Sequence, residues 1–152
     1  MDMTAERARR VVAVDYGEAR MGLAGTDALG LLAHPIQTIP ARPWLVAAEK
    51  IAEVVAERGA GTVVIGLPVR MDGTEGTVAA KVRRFAAELA QQLPPGVEIE
   101  FQDEYGSTMA AAEQLRVSGR RSRSHRPVID QAAAVVILEE WMAARGGTAG
   151  GD

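Results

Sequence analysis

Val11, Val12, Ala13 and Val14 are small or β-branched apolar residues in an unbroken row, and they run directly into Asp15. Such a row fits a strand covered on both faces, where β-branched side chains pack against the pleat. A carboxylate at Asp15 then stands at the carboxyl end of that strand, which is where open α/β sheets bind their ligands. Gly17 follows and permits either a turn or the close approach of another group to the backbone. Asp15 is therefore either a plain strand terminus or a ligand, and the rest of the chain has to decide between the two.

The hydrophobic pattern changes period along the chain. After the first strand, at 11–16, the punctuation by Gly25, Asp27 and Gly30 predicts two more strands, at 20–26 and 31–38, in an antiparallel meander. Pro40 and Pro43 close that segment and prepare a helix start. From residue 44 to 58 the apolar residues Leu45, Ala48, Ile51, Ala52 and Val55 recur at helical spacing, and Gly59 and Gly61 end the helix. Residues 62–67 form a second continuous apolar run, read as a central parallel strand stopped by Pro68. A turn at Asp72-Gly73 leads to a helix at 75–92, with Val78, Val82, Phe85, Ala86 and Leu89 on one face. Residues 97–101 alternate apolar and charged like an edge strand and lead to Asp103 and Glu104. A short helix at 107–117, a basic loop at 118–127, a last apolar helix at 128–144 and a glycine-rich disordered tail at 146–152 complete the chain. This order predicts a single α/β domain over 1–145, with a five-stranded mixed sheet, antiparallel then parallel, and helices on both faces.

Composition limits the chemistry. With no cysteine among 152 residues, disulfides, zinc–thiolate sites and thiol nucleophiles are excluded. A formal charge of −3 does not advertise a nucleic-acid binder, so any such contact has to come from a local basic patch. No apolar run spans a bilayer, and the charged first ten residues lack the apolar stretch of a secretory signal, so a cytoplasmic protein is expected with no membrane partner.

Asp15, Glu104 (with Asp103 beside it) and Asp130 occupy matched places, at two strand ends and near the start of the last helix. Asp130 shares its helical face with Ala133, Ala134, Ile137 and Trp141, where an unpaired carboxylate is costly. It either complements the helix dipole or faces the sheet end and meets Asp15 and Glu104. Converging carboxylates repel unless a cation neutralises them, and hard oxygen donors without His or Cys point to Mg²⁺ or Mn²⁺. Such a site suits phosphodiester hydrolysis. Five cationic or titratable groups, Arg120, Arg121, Arg123, His125 and Arg126, crowd the segment before Asp130 and form a candidate phosphate contact, which Arg20, Lys81 and Arg84 could extend. Arg20 could equally orient a carboxylate. His34 reads as structural, and the six aromatics do not interleave with the basic loop, so base stacking is not indicated. No P-loop motif is present, and the glycines at 73–76 read as a turn.

Four stretches, VVAVDYGEARMGLAGTD, VVIGLPVRMDGTEG with the following KVRRFAAEL, DEYGSTMAAAEQL and HRPVIDQAAAVVILEEWM, together resemble the YqgF-type, or RuvX-like, family of Holliday junction resolvases and pre-16S rRNA nucleases. They lie in the family's order from residue 11 to 142. The third departs from the family's DER-L-T-[ST] pattern, with Tyr105 and Gly106 in place of arginine and leucine, which bears on a substrate or orienting contact and not on a metal ligand. The resemblance implies a ribonuclease-H-like fold and a one- or two-metal site built from Asp15, Glu104 and Asp130, with Asp103 also matching the motif.

The expected function is a metal-dependent nuclease of structured nucleic acid, cutting at the 5′ end of pre-16S rRNA. Asp15 would bridge the metals, and Arg20, Lys81, Arg123 and Arg126 would hold phosphates. One rival is a Holliday junction resolvase acting on branched DNA as a homodimer, since paired cuts need two symmetric sites. Another is a non-catalytic RNA-binding or ribosome-assembly factor. An actin-like ATPase shares the opening Asp-x-Gly but needs a second domain and a second phosphate loop.

Overall fold

The computed structural model describes residues 10–105 and 126–150, with the side chains of 129–145 in the last segment. The helix expected at 107–117 and nearly all of the basic loop fall outside the described residues. The strands are β1 (Val11–Asp15), β2 (Arg20–Thr26), β3 (Ala33–Pro40), β4 (Thr62–Pro68) and β5 (Glu98–Glu104). Two helices, α1 (Trp44–Arg58) and α2 (Thr77–Gln92), separate β3 from β4 and β4 from β5, and α3 (Arg126–Gly150) comes last.

The five strands form one sheet in the order β3-β2-β1-β4-β5. β1 and β2 pair antiparallel, as do β2 and β3, while β4 lies parallel to both β1 and β5. This is the expected mixed sheet, with the two apolar runs side by side at its centre. Both crossovers, β3 to β4 and β4 to β5, advance in the same direction across the sheet. Right-handed connections then place α1 and α2 on the same face. The other face is left to α3.

The two faces follow from strand alternation. Val12, Val14, Val63, Ile65 and Leu67 pack with Ile51 and Val55 of α1 and Val82, Phe85 and Leu89 of α2. Val11, Ala13, Ala24 and Val64 pack against Ala134, Ile137 and Leu138 of α3. Fully burying each of these large aliphatic side chains contributes roughly 1.5–3 kcal/mol. Phase along β1 therefore assigns Asp15 to the α3 face, one step beyond Ala13. The next residue, Tyr16, is buried on the opposite face against Trp44 and Phe85, with ring centroids 6.2 Å and 5.9 Å away. That contact holds the turn that follows Asp15.

Element boundaries differ from the sequence reading in small ways. β3 begins at Ala33 rather than 31, because the Asp27 carboxylate accepts the Leu31 N–H at 2.8 Å and holds Leu31 and Leu32 in the turn. The register also shifts between Leu23 and Ala24, and Pro35 is tolerated because β3 is an edge strand. α2 starts at Thr77, since Glu75 is drawn into a bridge with Val69. α3 runs on to Gly150, past the point at which the glycine pairs predict its end. No helix among the described residues is long and apolar enough to cross a membrane.

α3 can lie close to the sheet because glycines are placed beneath it. A Cβ on Gly22 would fall on the carbonyl of Asp130, and one on Gly66 would lie 2.6 Å from Cδ1 of Ile137. At Gly25 the obstructing atoms are instead side-chain ends, Ile36 Cδ1 at 2.8 Å and Arg58 Nε at 2.9 Å, which can move. Gly22→Ala is expected to lower unfolding free energy by about 2–3 kcal/mol, and Gly25→Ala by under about 1 kcal/mol. Urea denaturation of both variants checks this, and equal costs would contradict the backbone contact.

Candidate metal and nuclease site

Asp15 faces Gly22 across the β1–β2 ladder. One step beyond the Val14–Ile65 pair, Gly66 takes the same level on the β4 side. Two residues without side chains thus flank the carboxylate. Over Gly22 sits the Asp130 backbone, and 3.5 Å from a Cβ placed on Gly66 lies Cγ of Glu104. The three acidic residues singled out in the sequence therefore share the α3 face of the sheet at the carboxyl ends of β1 and β5.

α3 crosses this face diagonally. Gln131 donates to Thr38 of β3 at 3.1 Å, Asp130 lies over β2, Ile137 over β4, and Trp141 donates to Glu100 of β5 at 3.2 Å. From residue 130 to 141 the helix advances about 16 Å, close to three strand spacings. Asp130 and Glu104 are consequently drawn to opposite sides of Asp15. Among the described residues no group of three or more Asp, Glu or His side chains is close enough together to hold one ion. The carboxylates form a row rather than a cage.

The members of the row are held differently. Asp130 is buried, and Nε of Arg20 donates to its Oδ2 at 3.1 Å. Arg20 is thus the orienting partner that the sequence left as one of two roles. Glu104 is 5% exposed, and its Oε2 is buried with no hydrogen-bond partner among the described residues. Burial first, then a hydrogen bond and like charge from Glu140, and then the charges of Asp15 and Asp103, push its carboxyl up to about 9. Asp103 itself is exposed and, by alternation, lies on the other face, where it acts on Arg83.

The candidate phosphate-binding residues are dispersed. Lys81 of α2 donates to Glu18 at 2.9 Å, and Arg42 reaches the same carboxylate at 3.2 Å, so Lys81 lies beside the β1–β2 turn, on the helix of the opposite face. Arg123 lies outside the described residues, and Arg126 opens α3. His34 accepts from Arg58 at 2.7 Å, while Arg58 also donates to the Thr26 carbonyl at 3.1 Å, which fits the structural role expected of it. Sequence reasoning missed Gly22 and Gly66, whose signal was their position opposite or level with Asp15. It also missed Glu140, which nothing in the sequence distinguishes from the neighbouring Glu139.

The donor set fits a hard divalent cation: carboxylate oxygens, no sulfur, and one buried oxygen left without a partner. In metal-free protein the folded state binds the Glu104 proton between the ordinary value of 4.5 and about 9, where the unfolded chain releases it. Stability is then highest on the acid side of that window and declines as pH rises through it. Urea midpoints in a chelator at about pH 5, 7 and 9 are expected to fall in the wild type and to stay flatter in Glu104→Gln. A wild-type midpoint that rises with pH contradicts this.

A sequence profile of the RuvX family, described as Holliday junction resolvase, matches residues 9–144. A Streptomyces coelicolor protein that carries the name "Putative pre-16S rRNA nuclease" is 46% identical over 134 residues, covering 88% of this chain and 80% of its own. A Gloeothece citriformis protein of the same name is 36% identical over 129 residues, covering 85% and 84%. Among solved structures, Thermus thermophilus RuvC aligns with a TM-score of 0.52 at 15% identity, covering 91% of this chain and 97% of that one. The fowlpox virus Holliday junction resolvase aligns with a TM-score of 0.51 at 11% identity, covering 89% and 98%. These two structures share its ribonuclease-H-like fold. With 9–144 matched and relatives of this identity along most of their length, the chain belongs to the RuvX (YqgF) family.

Proposed function

We propose that this protein is a divalent-metal-dependent nuclease that hydrolyses phosphodiester bonds at the 5′ end of pre-16S rRNA. The observation that carries the reading is the row of Asp130, Asp15 and Glu104 on one face of the sheet, in a chain whose relatives are named for that activity. Asp15, Glu104 and Asp130 would hold Mg²⁺ or Mn²⁺. When bound, the cation supplies activation of water and neutralises charge developing at the phosphate.

The residues of the chain supply the rest. Arg20 fixes the Asp130 carboxylate, so that residue enters the site already oriented. Tyr16, wedged between Trp44 and Phe85, keeps the turn after Asp15 from drifting. Lys81 and Arg20, with Arg123 and Arg126 from the basic segment, would contact backbone phosphates and set the register of the substrate. The place of action is the cytoplasm, where precursor rRNA is made. As a monomer or homodimer the protein would need one site per cut.

The family description favours one further substrate, the four-way DNA junction. Cleavage of precursor rRNA and of a branched DNA, with and without Mn²⁺, distinguishes them. Wild type is expected to cut the rRNA only with metal. Asp15→Asn is expected to lose at least about 100-fold, beyond the 10–100-fold cost typical of an outer-shell contact. Equal cutting by both proteins, or none by either on either substrate, would overturn the assignment. Junction cleavage alone would replace rRNA with branched DNA.

A further inference from the structure

Glu140 stands ten residues along α3 from Asp130, at the other end of the carboxylate row. Two anchors bracket it. On one side Ile137 packs onto Gly66, and on the other Trp141 donates to Glu100 of β5 while Arg145 pairs with the same carboxylate at 3.3 Å. Held between them, Glu140 lies on the turn of α3 beside Glu104, whose Cγ shares the space over Gly66 with Ile137, and the two carboxyl groups interact. Glu140 is only half-buried, whereas Glu104 is buried and its stem lies back over Gly66 toward the strand of Asp15.

Two carboxyl groups in contact repel unless a proton or a cation lies between them. Here the contact coincides with a second observation, the buried Oε2 of Glu104, which has no hydrogen-bond partner among the described residues. The far end of the row contrasts with this. Asp130 already has the Arg20 guanidinium against it. Among the described residues the demand for positive charge is therefore concentrated on the Glu104 side of Asp15. Small hard cations such as Mg²⁺ are commonly held by one or two carboxylates, with waters and substrate phosphates filling the remaining positions. A pair suffices, so the lack of a three-residue cage among the described residues is no obstacle.

We propose that Glu140 is a further residue of the metal site, sharing a divalent cation with Glu104 on the β5 side of Asp15. The inference rests on the metal-nuclease reading above and adds to it a ligand from the middle of α3. It also assigns a second role to the contact of Ile137 with Gly66, which sets the depth at which Glu140 meets the sheet.

The test is Mn²⁺ binding, measured by calorimetry and by the loss of the free-ion electron paramagnetic resonance signal. Wild type is compared with Glu104→Gln, Glu140→Gln and Glu139→Gln, each checked for an unchanged circular dichroism spectrum. Glutamine keeps the size of the side chain and its hydrogen bond. Glu140→Gln is expected to weaken binding about 10-fold, within the range seen for residues that support a metal site. The exposed Glu139 controls for net charge and should leave affinity within about 2-fold. If Glu104→Gln weakens binding and Glu140→Gln leaves it unchanged or tighter, this inference fails and the nuclease reading stands. If Mn²⁺ binds none of the proteins, or all of them alike, the metal site itself is wrong and both readings fall.

Discussion

The close seating of α3 on the sheet is the contact on which the rest of this structure depends. It requires Gly22, where a Cβ would collide with the Asp130 carbonyl, and Gly66 eases it, since a Cβ there would press on the Ile137 side chain. The two glycines flank Asp15 in the sheet, so the packing constraint and the chemistry occupy the same place. By lowering the helix onto the strands, they bring acidic residues from α3 to the level of a carboxylate at a strand end. The helix also covers Glu104, and the burial that results is the first cause of its raised proton affinity. Packing and electrostatics here have one origin.

The diagonal course of α3 divides the labour among the carboxylates. A helix laid along the strands would place its acidic residues over one strand. Crossing from β3 to β5, α3 spreads Asp130 and Glu140 to either side of Asp15. One end is neutralised by Arg20, a side chain of the same sheet face, and the other is left as a carboxyl pair. On the opposite face Lys81 and Arg42 are both engaged with Glu18, whose carboxyl their hydrogen bonds hold below its ordinary value. The site therefore combines a fixed cationic contact with a place that calls for an added cation.

Much of this was legible in the residues. The apolar runs at 11–14 and 62–67 became neighbouring central strands, and alternation along β1 and β5 puts Asp15 and Glu104 on one face. Asp130, anomalous on an apolar stripe, was found by the cost of burying it unpaired, and its partner Arg20 was among the candidates. Asp103 could not be separated from Glu104 by type, yet alternation alone puts it on the other face. What remained hidden was of a different kind. Glu139 and Glu140 are identical in the sequence, and only the rotation of α3 about its axis decides that one is exposed and the other meets Glu104. Likewise the charge of Lys81 was visible in the sequence, while its contact with Glu18, sixty-three residues away in the chain, was not. Local pattern specifies faces, and tertiary placement specifies pairs.

The role proposed for the row around Asp15 and Glu104 is to hold a divalent cation. Crystals soaked in Mn²⁺ and measured at the manganese absorption edge address it without reference to any substrate. Anomalous density is expected on the α3 face beside Asp15 and Glu104, with the Glu104 Oε2 oxygen turned from an orphan into a ligand. Density absent from that face, or present only at surface carboxylates such as Glu18, would rule out a metal held by this row.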